Sequence, residues 1–246
     1  MSAEDNKGTY QDTRALLNAV LAQVSAESIL DGTIGNRDLM SVRLVNGPNH
    51  FWNFPGVYSQ PSDGQHSATQ STDLMLDDFF DTWTVLHQLP NTTSGFAATV
   101  LFNKKTETIT LSFRSTESLP KSSGGDFERD GGDGADGEIT FKGFAFGQLL
   151  DMEKYYAELK AGTGTWLEDL SESERLAIKT NINNPDKPIS VTGYSLGSHL
   201  AQVFTILHSD KVVNTTTFNG AGFGGLGVCW TSSSGKIISA FRISLV

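Results

Sequence analysis

The sequence predicts an α/β fold in which a mostly parallel β-sheet is flanked by helices. Three neighbouring segments favour this fold: an apolar run over residues 188–192, an apolar stripe over 196–207, and a β-branched run over 211–218. The first and last have the composition of strands, and the middle one has the spacing of an amphipathic helix. A strand, a helix and a second strand in this order predict a parallel pair of strands.

The N-terminal region, residues 10–90, is predicted to be helical. Apolar residues recur at helical spacing over residues 13–24, which predicts one amphipathic helix. A second apolar set recurs every three or four residues and predicts a helix that ends before Pro90. Its members are Leu76, Phe79, Phe80, Trp83 and Leu86. Between the two helices, residues 59–72 are polar and have the composition of a loop.

The remaining core, residues 96–246, begins with a predicted β-hairpin. An apolar run over 96–102 and an alternating run over 108–113 are separated by a polar turn. The apolar positions from Ala145 to Leu159 then predict a long helix. The Ser171-x-x-Glu174 pattern is a capping box, which predicts the start of another helix.

Length and composition fit one domain over residues 1–246, since no internal repeat or long linker divides the chain. The formal net charge of −10 argues against binding nucleic acid, whose phosphates require a basic face. A single cysteine, Cys229, allows neither an internal disulfide nor a cysteine zinc cluster. Residues 1–13 lack a signal-peptide pattern, so we expect a cytoplasmic protein or export by a route that needs no signal peptide.

Residues 193–197 form a G-x-S-x-G motif between the first predicted strand of the parallel pair and its helix. Such a turn holds the serine in a strained conformation, exposed above the sheet at the positive end of the helix. Gly193 and Gly197 would avoid clashes between strand and helix. Ser195 is therefore a candidate nucleophile, and the backbone N–H of Leu196 a candidate oxyanion donor. The alternative is a glycine-rich turn with a capping serine; the flanking elements favour catalysis.

This motif and two further segments resemble the class 3 lipases, a family with the α/β-hydrolase fold, and bacterial lipase-like proteins in particular. Residues 189–201 are similar to the family's nucleophile elbow. Residues 111–117 are similar to its oxyanion strand, and residues 141–144 to its His-x-Gly-Phe segment. The three segments stand in the family's order and fall within residues 96–222.

The resemblance implies a lipase or esterase that hydrolyses carboxylic esters without a cofactor or metal. Ser195 would attack the ester carbonyl, and the Leu196 N–H and Thr116 would stabilise the oxyanion. Thr116 follows Ser115, which stands where the family has a glycine and would restrict the backbone. The other interpretation of Thr116 is a loop cap. The implied substrate is an acylglycerol, another lipid or a small ester, with transient contact to a lipid interface; no protein partner is expected.

The sequence supplies no convincing acid and base for Ser195. In α/β-hydrolases the triad acid and then the histidine follow the nucleophile. Only Asp210, His199 and His208 are available after Ser195, and no histidine follows Asp210. We expect His199 to project beside the serine turn and His208 to end the helix at its negative dipole. Two hypotheses therefore stay open: a C-terminally incomplete enzyme, and a catalytically incomplete binding or structural module of the hydrolase fold.

A glycine-rich acidic segment over residues 121–138 falls where the resembling family carries its lid, which covers the acyl pocket until it opens. We expect an exposed, solvated loop there. Calcium binding is the alternative, although the spacing of the carboxylates is out of register with an EF-hand. The aromatic residues over 51–58 and Trp83 are candidates either for an acyl pocket or for core packing.

Overall fold

The computed structural model describes residues 3–30, 32–46, 72–115, 144–220 and 222. The helices in these residues are α1 (Ala3–Glu27), α2 (Arg37–Asn46), α3 (Asp73–Thr82), α4 (Phe146–Ala161), α5 (Glu172–Asn183) and α6 (Leu196–Leu207). A short 3₁₀-helix spans Thr165–Leu167. The strands are β1 (Trp83–Leu89), β2 (Ala98–Asn103), β3 (Thr108–Phe113), β4 (Ile189–Tyr194) and β5 (Val212–Phe218).

The five strands form one mixed sheet in the order β1-β2-β3-β4-β5. The first three are antiparallel neighbours, which confirms the predicted hairpin between β2 and β3. β3, β4 and β5 run parallel, which confirms the predicted strand–helix–strand unit. Because β1, β3, β4 and β5 point the same way, their C-terminal ends share one edge, here called the carboxyl edge.

Helices cover both faces of the sheet, as an α/β fold requires. On the α1 face, α1, α2 and α3 pack on β1 and β2 through a small apolar cluster. On the α6 face, α4, α5 and α6 pack on all five strands through a larger one. The largest buried side chains of the α6 face are Phe96, Phe113, Tyr155 and Phe204. This arrangement of a mixed sheet between two helical layers is the predicted α/β fold.

One predicted helix is wrong in its second half. The segment with Phe79 and Trp83 is helical only to Thr82. β1 begins at the next residue, Trp83, and pairs antiparallel with β2. A β-bulge at Leu86 breaks the alternation of the strand, so its apolar side chains are spaced as in a helix. Trp83 is buried in the cluster of the α1 face, which favours its interpretation as a core residue.

Local sequence explains how two helices start. α5 begins with the predicted capping box: the Ser171 hydroxyl accepts from the Glu174 N–H, and the Glu174 side chain accepts from the Ser171 backbone N–H at 2.8 Å. α3 is capped by Thr72, whose hydroxyl accepts from the Met75 N–H. Such caps satisfy N–H groups that the first turn of a helix leaves without partners.

Candidate active site

Ser195 lies at the turn between β4 and α6, as the motif predicts. Its backbone has φ 49° and ψ −117°, a conformation that a residue with a side chain rarely adopts. The residue is half-buried and directly precedes the first turn of α6. Such strain costs free energy, so the surrounding structure must hold the residue in place.

The two glycines of the motif permit a close approach that no other residue allows. A Cβ added to Gly193 would lie 2.1 Å from the carbonyl oxygen of Gly197. A Cβ added to Gly197 would lie 2.2 Å from the carbonyl oxygen of Phe113, the last residue of β3. The start of α6 is therefore pressed against both β4 and the end of β3.

β5 and one further serine fix the turn. The Ser195 N–H donates to the Phe218 carbonyl at 3.0 Å. The buried Ser198 hydroxyl donates to the Gly193 carbonyl at 2.6 Å and contacts the Phe218 carbonyl at 3.1 Å. Sequence reasoning missed Ser198, whose only signal is a small hydroxyl among the apolar residues of a helical first turn.

The predicted oxyanion residues are placed only in part. Leu196 is the first residue of α6, so its N–H belongs to the helix start that has no intrahelical acceptor. Thr116 lies outside the described residues. The two residues before it, Arg114 and Ser115, are described, and the Arg114 carbonyl would be 2.8 Å from a Cβ at Gly197. The chain therefore reaches the serine turn two residues before Thr116.

His199 is buried and its ring is held on both sides. Its Nε2 accepts from the Ala145 N–H at 3.5 Å, and its Nδ1 lies 3.2 Å from the Gly222 carbonyl, to which it donates. Burial lowers the pKa of His199 below its ordinary value, and the bond to Gly222 opposes this only in part. Both ring nitrogens of His199 thus have hydrogen-bond partners other than Ser195.

His208 and Asp210 lie at the opposite end of α6 from Ser195. A helix of this length spans about 18 Å. The His208 Nε2 contacts Glu153 Oε1 at 2.9 Å. Burial, together with the charges of Asp210 and Glu153, raises the pKa of Tyr156 to about 12. His208 and Asp210 therefore do not reach Ser195.

His87 lies in β1, three strands from the serine turn. Its Nδ1 is 2.6 Å from the Tyr155 hydroxyl, and its Nε2 is 3.3 Å from Asp169 Oδ1. Burial raises the pKa of Tyr155 well above its ordinary value, so this hydroxyl stays protonated and donates to His87. His50 and His66 lie outside the described residues. Among the imidazoles that the structure describes, none hydrogen-bonds to Ser195.

A row of polar side chains crosses the α1 face one residue before the carboxyl edge. Register places Gln88, Thr99, Ser112 and Thr192 side by side on β1 to β4, and all are buried. Gln88 Nε2 donates to Thr99 at 2.8 Å, and Thr192 donates to Ser112 at 2.8 Å. This polar row, which sequence reasoning missed, ends at Thr192, three residues before Ser195.

The acidic segment 121–138 and the aromatic residues over 51–58 lie outside the described residues. In the part of the chain that the structure describes, no cluster of three His, Cys, Asp or Glu side chains could hold a metal ion. No helix there has the length and apolarity needed to cross a membrane.

No protein-family model and no curated protein sequence matches the chain. Among solved structures, it is similar to the crystal structure of a lipase from Rhizopus microsporus var. chinensis, with 12% sequence identity and a TM-score of 0.38. The match covers 89% of this chain and 57% of that chain, so the chain spans little more than half the length of the lipase. The candidate site is therefore assigned from the geometry of the described residues alone.

Proposed function

We propose that the chain hydrolyses carboxylic esters with Ser195 as the nucleophile. The observation that carries the proposal is the backbone of Ser195, φ 49° and ψ −117°, at a strand-to-helix turn that two close-packed glycines make possible. A structural turn has no need of this strain, because Ser171 starts α5 with an ordinary extended backbone and a full capping box. Ser195 makes no capping bond with its side chain.

In the proposed reaction, the Ser195 Oγ attacks the ester carbonyl and its proton passes to a general base. The tetrahedral oxyanion is stabilised by the Leu196 N–H and by Thr116, and its collapse expels the alcohol. Water then attacks the acyl-enzyme and releases the acid. The described histidines hydrogen-bond elsewhere, so the proposed base is a group other than His87, His199 or His208.

Labelling with a fluorophosphonate probe tests the nucleophile. We expect the wild-type chain and Ser171→Ala to be labelled and Ser195→Ala to be unlabelled. Ser171→Ala is the matched control because Ser171 also directly precedes a helix, in ordinary conformation. Turnover of an activated short-chain ester should fall at least about a thousandfold in Ser195→Ala. Labelling that persists in Ser195→Ala would contradict the proposal.

The second candidate is a hydrolase-fold module that binds a ligand or a partner without catalysis. The specific observation in its favour is that each described imidazole hydrogen-bonds to a group other than Ser195. A serine without a base is a poor nucleophile at neutral pH, and a triad enzyme that has lost its base retains only about a thousandfold acceleration over water. A folded wild-type chain that neither reacts with the probe nor turns over the ester would favour this candidate.

The substrate class is proposed as a lipid ester or a small ester. Comparing p-nitrophenyl acetate with esters of longer chains, and dispersed acylglycerol with a soluble analogue, separates the two. A lipid substrate predicts a rate that rises with chain length and with the area of the lipid interface. A small-ester enzyme predicts the highest rate on the acetate and no dependence on an interface.

A further inference from the structure

A buried carboxylate of α1 contacts the end of β3. Glu27 is 3% exposed and uses both oxygens on one residue: Oε1 accepts from the Ser115 N–H at 2.9 Å, and Oε2 accepts from the Ser115 hydroxyl at 2.6 Å. The two residues are 88 positions apart in the sequence. A paired contact of this kind fixes both the backbone and the side chain of Ser115.

Gln23, one turn earlier on α1, continues the same contact. Its Nε2 donates to Glu27 Oε1 at 2.7 Å and to the Phe113 carbonyl at 3.0 Å. Its Oε1 accepts from the Ser112 hydroxyl at 3.0 Å. Ser112 belongs to the polar row, so α1 holds the last residues of β3 through directional bonds rather than through apolar packing alone.

The end of β3 in turn touches the serine turn. A Cβ at Gly197 would lie 2.2 Å from the Phe113 carbonyl oxygen, so the backbones of β3 and α6 are in close contact. A displacement of Ser115 would therefore move the strand end that borders Ser195. The bonds of Glu27 lie on the side of the strand end that faces α1.

The charge environment shows that Glu27 is costly to bury. Burial raises the pKa of Glu27, while the bonds from Ser115 and Gln23 and the charge of Arg114 lower it only in part. The Arg114 side chain is itself buried and donates to Asn91 Oδ1 at 2.6 Å. If Glu27 had no role, an apolar residue at its position would give a more stable folded chain.

We propose that Glu27 is a positioning residue that holds Ser115, and with it the end of β3, against the Ser195 turn. The inference rests on the proposed function for its catalytic consequence. It also gives the Ser115 side chain a role, since a glycine there would keep the N–H bond to Glu27 and lose the hydroxyl bond. Glu27 is buried and bonds to Ser115, so we expect it to act through the position of the β3 end relative to Ser195.

The test compares Glu27→Ala, Glu27→Gln and Ser115→Ala with the wild-type chain. The control is Asp151→Asn, because Asp151 also accepts from two hydroxyls, those of Thr92 and Ser94, each at 2.6 Å. We expect kcat on the activated ester to fall about tenfold or more in Glu27→Ala, with KM within about twofold, because small displacements at a reacting centre cost rate. Glu27→Gln keeps an acceptor and should restore kcat to within about threefold, and Asp151→Asn should not change kcat.

Amide hydrogen exchange at Ser115 gives a readout that does not depend on activity. Glu27→Ala should speed exchange there at least about tenfold, while Asp151→Asn leaves it unchanged. If the wild-type chain is inactive, the proposed function fails and exchange at Ser115 alone decides the positioning role. If Glu27→Ala does not fold, Ser115→Ala replaces it, with an expected severalfold loss of kcat. Unchanged kcat in a folded Glu27→Ala, or unchanged exchange at Ser115, would overturn the inference.

Discussion

The two faces of the sheet are built on different principles. On the α6 face, β3 and β4 present Ile109, Leu111, Phe113, Ile189 and Val191 to a continuous apolar layer. On the α1 face, the same two strands present Thr192, which donates to Ser112, and Ser112, which donates to Gln23 of α1. Apolar burial stabilises without direction, whereas hydrogen bonds fix distance and angle. The α6 face therefore carries the larger apolar core, whereas the α1 face adds directional hydrogen bonds at the end of β3 to a smaller one.

The largest effect is expected at the turn itself, where both faces meet. Gly193→Ala would place a Cβ 2.1 Å from the Gly197 carbonyl oxygen, so backbone must shift. We expect the free energy of unfolding to fall by at least about 5 kcal/mol, measured by urea titration. Gly147→Ala is the control, because its Cβ would meet Ser94 at an ordinary 3.5 Å within α4, and a gain of about 0.5–1 kcal/mol is expected.

The second prediction concerns the α6 face. Phe204 is fully buried, with ring centroids 4.8 Å from Tyr156 and 5.7 Å from Phe113. Phe204→Ala should lower the free energy of unfolding by about 3–5 kcal/mol, because it removes apolar contacts and leaves a cavity. Leu207→Ala, at a side chain that is 54% exposed, should cost less than about 1 kcal/mol. Equal losses in the two variants would contradict the assignment of Phe204 to the core of the α6 face.

The third prediction sharpens the role of the polar row. Thr192→Val removes the hydroxyl that donates to Ser112 while it keeps the shape of the side chain. We expect a loss of about 1–2 kcal/mol in unfolding free energy, less than for Phe204→Ala, together with slower ester hydrolysis. Thr84→Val, at an exposed position of β1, should change neither quantity. A loss of stability with an unchanged rate would assign the row to packing alone.

The smallest effect is a pH dependence of opposite sign on the two faces. The pKa of His199 is lowered in the folded state. Below pH about 6.5 the unfolded state therefore binds a proton at His199 more readily than the folded state, and the free energy of unfolding falls as pH falls. The pKa of Glu27 is raised in the folded state. Above pH about 4.3 the unfolded state therefore releases the Glu27 proton more readily than the folded state, and the free energy of unfolding falls as pH rises. For each group, the change of the free energy of unfolding with pH stops once the pH has passed the pKa of that group in the folded state.

Unfolding free energies of the wild type, His199→Asn and Glu27→Gln across pH 4 to 8 would check both signs, with slopes of at most about 1.4 kcal/mol per pH unit for each group. The unfolding free energy of the wild type minus that of His199→Asn should decrease as pH falls. The unfolding free energy of the wild type minus that of Glu27→Gln should decrease as pH rises. The same sign in both differences would contradict the assignment.

Periodicity predicted the parts of the fold that depend on local sequence. The stripe of Leu196, Leu200 and Phe204, the β-branched run of β5 and the capping box at Ser171 each occur where the sequence places them. β1 escaped prediction because the bulge at Leu86 disturbs its alternation. α2 was not predicted, since Arg37–Asn46 has only a weak apolar stripe at Met40 and Leu44.

The candidate site was predictable only where it depends on neighbours in the chain. The motif around Ser195 dictates a turn, and the structure has that turn with the strained backbone. The polar row and the contact of Glu27 with Ser115 depend on strand register and on helix docking across 88 positions, so no local pattern announces them. A buried glutamate in an amphipathic helix looks the same in sequence as one that faces solvent.

The long sequence separation between Glu27 and Ser115 also affects how the protein is made. During synthesis at about 5–20 residues per second, α1 would wait about 4–18 s before the strand end that it holds leaves the ribosome. Through most of that interval its apolar side chains, Leu21 and Ala22 among them, lack the strands β1 and β2 that they cover in the folded chain. The contact between Glu27 and Ser115 can therefore form only after the end of β3 has left the ribosome.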